Sequence, residues 1–172
     1  MLGGQIWVES EFGIGSTFCF ALPLETKPEE DNNAKYTDST VIEVIANISE
    51  NTDLKILIVE DDEASDRFLT KVISKITTKI LHTQTGIEAV EICRNNPDID
   101  LVLMDIRMPG MNGYEATQQI RQFNKELIII AQTAFGLVSD REKSLEAGCN
   151  DYISKPINKN ILLALIDLYS NK

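Results

Sequence analysis

The sequence predicts an α/β protein with a doubly wound parallel sheet of five strands. Residues 54–172 alternate short apolar, β-branched runs with segments whose apolar residues recur at helical spacing. The first run, Lys55–Glu60, is continuously apolar from Ile56 to Val59, which is typical of a strand covered on both faces. Strands that alternate with helices favour a parallel sheet, and right-handed crossovers place helices on both of its faces.

Five apolar runs are the predicted strands. They are Lys55–Glu60, Lys79–Thr83, Asp100–Asp105, Leu127–Gln132 and Asp151–Ser154. A helix is predicted after each strand because apolar residues return every three or four positions, as at Leu69, Val72 and Ile73. Gly148 is expected to end the fourth helix as its C′ residue, and Asn158 is expected to cap the fifth.

Composition and charge exclude several classes of function. The formal net charge is −11, so the chain lacks the cationic surface that general binding to nucleic acid or to an anionic membrane requires. No apolar run is long enough to span a bilayer, and nothing after Met1 resembles a signal peptide. The three cysteines are widely spaced and form no CxxC pair, which favours a reducing compartment. We therefore expect a cytoplasmic chain that contacts neither nucleic acid nor membrane.

Acidic residues follow two of the predicted strands at the point where each strand ends. Glu60 and Asp61 come at the end of the first strand, and Asp105 ends the third. Because ligands of such sheets bind at the carboxyl ends of the strands, we expect these side chains to share one edge. A hard divalent cation relieves the repulsion between carboxylates, and oxygen ligands with room for water favour Mg²⁺. The sequence therefore predicts a magnesium site at this edge.

The same edge is predicted to bind an anion. Thr133 and Ala134 follow the fourth strand, and Lys155 follows the fifth. The lysine ammonium offers a positive charge, while the threonine hydroxyl and the next backbone N–H offer hydrogen bonds to anionic oxygens. The order of groups at four strand ends is more specific than any one residue, and it indicates chemistry that involves phosphate and a metal ion.

Four segments resemble the receiver domains of two-component response regulators. They are KILIVEDD at 55–62, LVLMDIRMPGMNG at 101–113, AQTAFG at 131–136 and DYISKP at 151–156. The resemblance covers residues 54–172. It implies a flavodoxin-like sheet with strand order 2-1-3-4-5.

The resemblance also implies a role for each site residue. Asp105 would be the phosphoacceptor, and it would take a phosphoryl group from a phosphohistidine of a kinase or of a histidine phosphotransfer domain. The implied Mg²⁺ ligands are Glu60, Asp61, Asp105 and the backbone carbonyl of Arg107. The implied phosphate ligands are Thr133, Ala134 and Lys155. Thr133 and Tyr152 would form a conformational switch, and the peptide bond between Lys155 and Pro156 would be cis.

Residues 1–24 carry a second resemblance, to the closing β-hairpin of a histidine kinase ATPase domain. The nucleotide-binding boxes of that domain are absent, so we expect no ATP site here and leave open whether the chain is part of an enzyme. Residues 25–53 hold eight acidic residues and two lysines, which predicts a linker. The alternative is that residues 41–48 form an added helix or strand. The resemblances together imply a hairpin remnant at 1–24, a linker at 25–53 and a receiver at 54–172 of a hybrid sensor kinase.

Two classes of function are weighed for the chain. The first is a phosphoacceptor module that passes a phosphoryl group within a relay. The second is a stand-alone, receiver-like interaction domain that has lost phosphorylation and has no output domain. The complete set of Glu60, Asp61, Asp105, Thr133 and Lys155 favours the first class.

Overall fold

The computed structural model describes residues 5–11, 15–21, 53–134 and 138–170 of the 172-residue chain. The chain forms two compact units, with the boundary between Ala34 and Lys35. The predicted linker lies outside the described residues except for Asp53. Among the described residues, no helix combines the length and the apolar character needed to cross a bilayer.

The first unit contains an antiparallel hairpin. Strand β1 (Gln5–Glu11) pairs with β2 (Gly15–Ala21), from Gln5 opposite Ala21 to Glu11 opposite Gly15. On β1 the side chains of Trp7 and Val8 are exposed, and the Trp7 Nε1–H donates to Glu9 Oε1 at 3.3 Å. A hairpin of two strands is therefore present at the position of the predicted remnant.

The second unit contains the five-stranded sheet. Its strands are β3 (Lys55–Val59), β4 (Lys79–Thr83), β5 (Leu101–Asp105), β6 (Ile128–Thr133) and β7 (Asp151–Ser154). The spatial order is β4-β3-β5-β6-β7, and every neighbouring pair is parallel. Numbered within the sheet, this order is 2-1-3-4-5, so the predicted doubly wound fold is confirmed.

Five helices connect and follow the strands. They are α1 (Glu63–Ile73), α2 (Gly86–Asn95), α3 (Gly113–Arg121), α4 (Val138–Glu146) and α5 (Lys159–Ser170). After α4, Gly148 has a φ of 99°, the N–H of Gly148 donates to Leu145 O, and the N–H of Cys149 donates to Ser144 O. These two hydrogen bonds form a Schellman motif, as predicted for a glycine at C′.

Two apolar clusters fill the space on the two faces of the sheet. On one face, buried residues of β3 such as Ile56 and Ile58 pack with residues of α1 and α5. On the other face, Leu57 and Val59 pack with residues of α2 and α3. Because successive residues of each strand enter opposite clusters, both sets must be apolar. Where β3 and β5 leave these clusters at their carboxyl ends, the buried residues become polar, as at Glu60 and Asp105.

Candidate functional site

Three acidic residues meet at the carboxyl edge of the sheet. Glu60 directly follows β3, Asp61 begins the loop to α1, and Asp105 ends the neighbouring strand β5. One carboxylate oxygen from each residue lies within 4.8 Å of the others. Glu60 is 1% exposed and Asp105 is 4% exposed, whereas Asp61 is exposed to solvent. The cluster thus combines two buried carboxylates with one that is exposed to solvent.

Lys155 joins the two buried carboxylates. Its ammonium donates to Glu60 Oε1 at 2.9 Å, to Glu60 Oε2 at 2.8 Å and to Asp105 Oδ2 at 2.8 Å. The backbone N–H of Lys155 donates to Thr133 O at 2.7 Å, and the peptide bond to Pro156 is cis. These contacts hold the segment after β7 against the end of β6 and direct the lysine toward the acidic residues.

Burial and charge perturb both partners of the Lys155–Glu60 pair. Burial, helped by the neighbouring charge of Asp105, raises the pKa of Glu60 to about 7 against the opposing effect of Lys155. Burial lowers the pKa of Lys155, but the hydrogen bonds to Asp105 and Glu60 outweigh it, so the pKa is raised. Glu60, Asp61 and Asp105 offer three carboxylates to the single ammonium of Lys155. The cluster therefore favours the binding of a further positively charged group, such as a cation.

The donor set fits Mg²⁺. Glu60, Asp61 and Asp105 supply carboxylate oxygens only, which are the ligands of a hard cation, and the exposed side of Asp61 leaves room for water. The backbone N–H of Arg107 donates to Asp105 Oδ1 at 3.0 Å, which fixes the second oxygen of that carboxylate. The predicted use of the Arg107 carbonyl as a ligand stays a prediction.

A cavity of about 330 Å³ lies next to the acidic cluster, along the ends of β5 and β6. It is lined by Ile106, Arg107, Asn112, Tyr114, Thr133, Ala134 and Lys143. The side chain of Thr133 is buried at the end of β6, and Ala134 is exposed. Tyr114 and Lys143 were not predicted at this site, because each lies on a helix at a distance in sequence from the strand ends. The cavity thus brings two of the three predicted anion ligands, Thr133 and Ala134, together with Ile106, the residue after Asp105.

The loop between β5 and α3 is packed tightly against the end of β5. Asn112 caps α3 and forms a capping box with Glu115. A Cβ atom added at Gly113 would lie 2.2 Å from the backbone oxygen of Asp105, so only glycine fits at that position. The glycine at 113 in the segment MDIRMPGMNG therefore has a packing reason.

Two neighbouring residues have structural contacts of their own. Asp62 is the N-cap of α1, and its Oδ1 accepts a hydrogen bond from the Ser65 N–H at 2.8 Å, which lowers the pKa of Asp62. Tyr152 is partly buried on β7 and packs against the α2/α3 cluster. The role of Tyr152 in a switch with Thr133 stays a prediction.

Sequence reasoning missed Gln132. The residue is fully buried on β6, directly opposite Asp105 in the register, and within the described part of the chain neither polar atom of its side chain has a hydrogen-bond partner. The alternation of side chains along β6 would have indicated that Gln132 is buried. Ile128 and Ile130 belong to the α1/α5 face, so the next residue on that face is Gln132.

The chain is similar in sequence to a known family of domains and to sensor histidine kinases. The sequence profile of the response regulator receiver domain matches residues 56–167. Sensor histidine kinase RcsC of Escherichia coli strain K12 is 32% identical over 125 residues, which are 73% of this chain and 13% of RcsC. The chain thus spans about an eighth of the length of that relative.

Two solved structures are similar in both fold and sequence. The receiver domain of sensor histidine kinase PA1611 from Pseudomonas aeruginosa has a TM-score of 0.65 and 32% identity, with 70% of this chain and 100% of that chain covered. That structure holds a magnesium ion in its active site cleft. The co-crystal structure of Saccharomyces cerevisiae Ypd1, a histidine phosphotransfer protein, with the receiver domain of Ssk1 gives a TM-score of 0.63 and 32% identity. It covers 70% of this chain and 89% of that chain.

Proposed function

The chain belongs to the response regulator receiver domain family, and from that membership we propose that it takes a phosphoryl group from a phosphohistidine onto Asp105. The observation that carries the proposal is the arrangement of Asp105 among Glu60, Asp61 and Lys155. Asp105 is a buried member of the acidic cluster, and the residue after it, Ile106, lines the cavity that Thr133 also lines. An acceptor needs this access to cations on one side and to space for a phosphoryl group on the other.

The proposed reaction replaces one phosphorus bond by another. A carboxylate oxygen of Asp105 attacks the phosphorus atom, the P–N bond of the phosphohistidine breaks, and the imidazole of the donor leaves with the bonding electrons. Lys155 and Arg107 already hold one oxygen of Asp105 each, so the carboxylate is oriented before the donor arrives. The ammonium of Lys155, the hydroxyl of Thr133 and the N–H of Ala134 would bind the transferred oxygens.

Mg²⁺ would be held by Glu60, Asp61 and Asp105, and when bound it offsets the negative charge of the phosphoryl oxygens. The support for this assignment is the oxygen-only donor set and the shortage of positive charge around the three carboxylates. Phosphoryl transfer requires little from a protein beyond position and charge, and these residues supply both.

The proposed donor is a phosphohistidine of a kinase or of a histidine phosphotransfer domain. An apolar hollow of about 330 Å³ next to Lys155 supports a protein donor, because Phe68 of α1 lies in its wall and is 42% exposed. The net charge of −11 supports a partner other than nucleic acid or an anionic membrane. Cys93 and Cys149 are buried free thiols, which fits the proposed cytoplasmic location.

We further infer the domain organisation of a hybrid sensor kinase. Residues 54–172 would be its receiver, residues 25–53 an acidic linker, and residues 1–24 the end of an ATPase domain. The similarity to the receiver of RcsC and the separate hairpin unit support this organisation.

The test replaces the proposed acceptor. Asp105→Asn should abolish phosphorylation by acetyl phosphate with Mg²⁺, measured as hydroxylamine-labile phosphate on the protein. Asp100→Asn is the matched control, since it changes the aspartate directly before the same strand, at the end opposite Asp105, and should react like the wild type. Phosphate that persists in Asp105→Asn would refute the assignment. A wild-type chain that is never phosphorylated would favour the interaction domain instead.

A further inference from the structure

Gln132 is a buried polar residue that the proposed reaction does not use. It is 0% exposed, and within the described residues neither Nε2 nor Oε1 has a hydrogen-bond partner. A buried amide loses its bonds to water, and this loss is unfavourable when no protein group replaces the water. Since most buried polar groups in native proteins have partners, this exception requires a reason.

The position of Gln132 relates it to the phosphoacceptor. In the register of the sheet, Gln132 lies opposite Asp105 on β5 and opposite Ile153 on β7. Ile153 packs in the α1/α5 cluster, and so do Ile128 and Ile130 of β6. Side chains alternate along a strand, so Gln132 shares this face with them. The same alternation places Asp105 on this face, because Leu103 of β5 packs in the same cluster.

The side chain of Lys155 reaches from the end of β7 past β6 to β5. Lys155 lies two residues after Ile153, beyond the end of β7, and its Nζ is 2.8 Å from Asp105 Oδ2 on β5. Strand β6 lies between β7 and β5. To reach Asp105, the lysine must pass the carboxyl end of β6, where Gln132 is the residue before last. The register therefore brings Gln132 to the part of β6 that the lysine passes.

The hydrogen bonds of Lys155 are fully used in the present arrangement. An ammonium has three N–H donors, and Lys155 makes three hydrogen bonds, two to Glu60 and one to Asp105. These carboxylates are the proposed ligands of Mg²⁺, so the cation and Lys155 compete for the same oxygens. When the carboxylates turn to the cation, the donors of Lys155 need new acceptors. A phosphoryl oxygen supplies one, and the nearby Gln132 Oε1 is a buried acceptor without a partner.

We propose that Gln132 is a positioning residue for Lys155: its Oε1 accepts an N–H of the ammonium in the loaded site and holds the lysine over the phosphoryl group. This inference rests on the proposed function of Asp105. The unfavourable burial of the free amide in the unloaded protein is then relieved on loading, which makes loading more favourable. Hydrogen bonds to a charged group are stronger than those between neutral groups, so the effect is measurable.

The test uses the 172-residue chain with Gln132→Met, which has a similar volume but no polar atoms. Without ligand, the variant should be as stable as the wild type or more stable, because the unpaired amide is gone. With Mg²⁺, the concentration of beryllofluoride needed for half-saturation should rise about tenfold. The substitution should thus leave unchanged or raise the stability of the unloaded protein and lower the affinity for beryllofluoride. A purely structural role would instead change the stability of the unloaded and loaded forms by the same amount.

Ile130→Leu is the matched control, because it alters the same face of β6 two residues earlier. It should lower the stability of both forms and leave the affinity for beryllofluoride unchanged. In the wild type, the side-chain amide signal of Gln132 in ¹⁵N spectra should shift on loading. Equal affinity in Gln132→Met, or an unmoved amide signal, would overturn the role of Gln132 and leave that of Asp105 intact. A wild-type chain that binds no beryllofluoride would overturn both.

Discussion

Glu60 shows at the scale of one residue how burial changes a carboxyl group. Its pKa is raised to about 7, chiefly by burial, so the folded protein keeps a proton on Glu60 that the unfolded chain has already lost. The pH window runs from the ordinary pKa of a glutamate carboxyl group to about 7. Within it, a rise in pH lowers the free energy of unfolding by up to about 1.4 kcal/mol per pH unit. Above that window the contribution of Glu60 no longer changes.

Glu60→Gln should remove this dependence. We expect the variant to gain stability relative to the wild type as the pH rises from 5 to 7, measured by urea denaturation in the presence of a chelator. Glu63→Gln, which removes an exposed carboxylate from the first turn of α1, should keep the slope of the wild type. If Glu60→Gln and the wild type have parallel profiles, the buried carboxyl group does not titrate in this range.

Asp61 is the member of the acidic cluster that is exposed to solvent. Asp61→Asn should abolish measurable Mg²⁺ binding by calorimetry and phosphorylation by acetyl phosphate, because the site loses one of its three negative charges. Asp62→Asn is the neighbouring control, since asparagine retains the capping of α1 and should leave both properties unchanged. Normal phosphorylation of Asp61→Asn with Mg²⁺ would show that the metal lies elsewhere.

The residue types of the site were predictable, but their pairing was not. An acidic residue at the end of an apolar strand is visible in the sequence, and parallel topology alone brings Glu60 and Asp105 together. That Lys155 makes three hydrogen bonds to these carboxylates depends on its crossing over β6, which only the folded register defines. Gln132 was overlooked for a related reason. A glutamine near a strand end is usually expected to be exposed to solvent, and only the alternation of side chains along β6 assigns it to a buried face.

At the scale of elements, α1 and the segment after β7 form the apolar hollow beside the site. Its lining includes Phe68, Pro156 and Ile157. Phe68→Ala should slow phosphoryl transfer from a phosphorylated histidine phosphotransfer protein about tenfold, because an exposed aromatic residue beside the proposed acceptor offers a large apolar contact. The rate with acetyl phosphate should stay unchanged, since a small donor needs no docking surface. Radiolabel transfer assays with the two donors measure both rates.

Ile87→Ala is the control for this surface. Ile87 is also an exposed apolar residue on a helix, but it lies on α2 and does not line the hollow. It should leave both rates unchanged. A Phe68 variant that slows both donors equally would indicate a distorted site, and one that slows neither would place the docking of the donor on another surface.

The elements themselves were predicted with small errors at their ends. The fourth strand was expected at Leu127–Gln132 and runs from Ile128 to Thr133, so the predicted segment is displaced by one residue. Apolar runs define where a strand is buried, whereas hydrogen bonds define where it ends, and the two limits differ by a residue or two. The close approach of Gly113 to the backbone of Asp105 could not be predicted, because it depends on how the loop returns to the sheet.

At the scale of the whole molecule, the strand order of the receiver followed from its resemblance to the family, and the parallel pairing followed from composition. Continuous apolar strands require helices on both faces, and right-handed crossovers leave few arrangements for five strand–helix units. The hairpin has no comparable constraint. Strands β1 and β2 form their own two-stranded sheet and belong to a different compact unit from the receiver.

This separation predicts that residues 54–172 fold alone and that residues 1–53 add almost nothing to their stability. The five strands, five helices and both apolar clusters lie within 54–172. Removing residues 1–53 deletes the exposed ion pair between Asp53 and Lys79, and exposed pairs contribute little. The melting temperature of the fragment should therefore stay within about 2 °C of that of the full chain, and the rate of phosphorylation by acetyl phosphate should match. Calorimetry and the phosphorylation assay on both chains measure these quantities. A large fall in either would mean that the N-terminal segment supports the receiver, and the segment would then be a regulatory arm instead of the end of a separate ATPase domain.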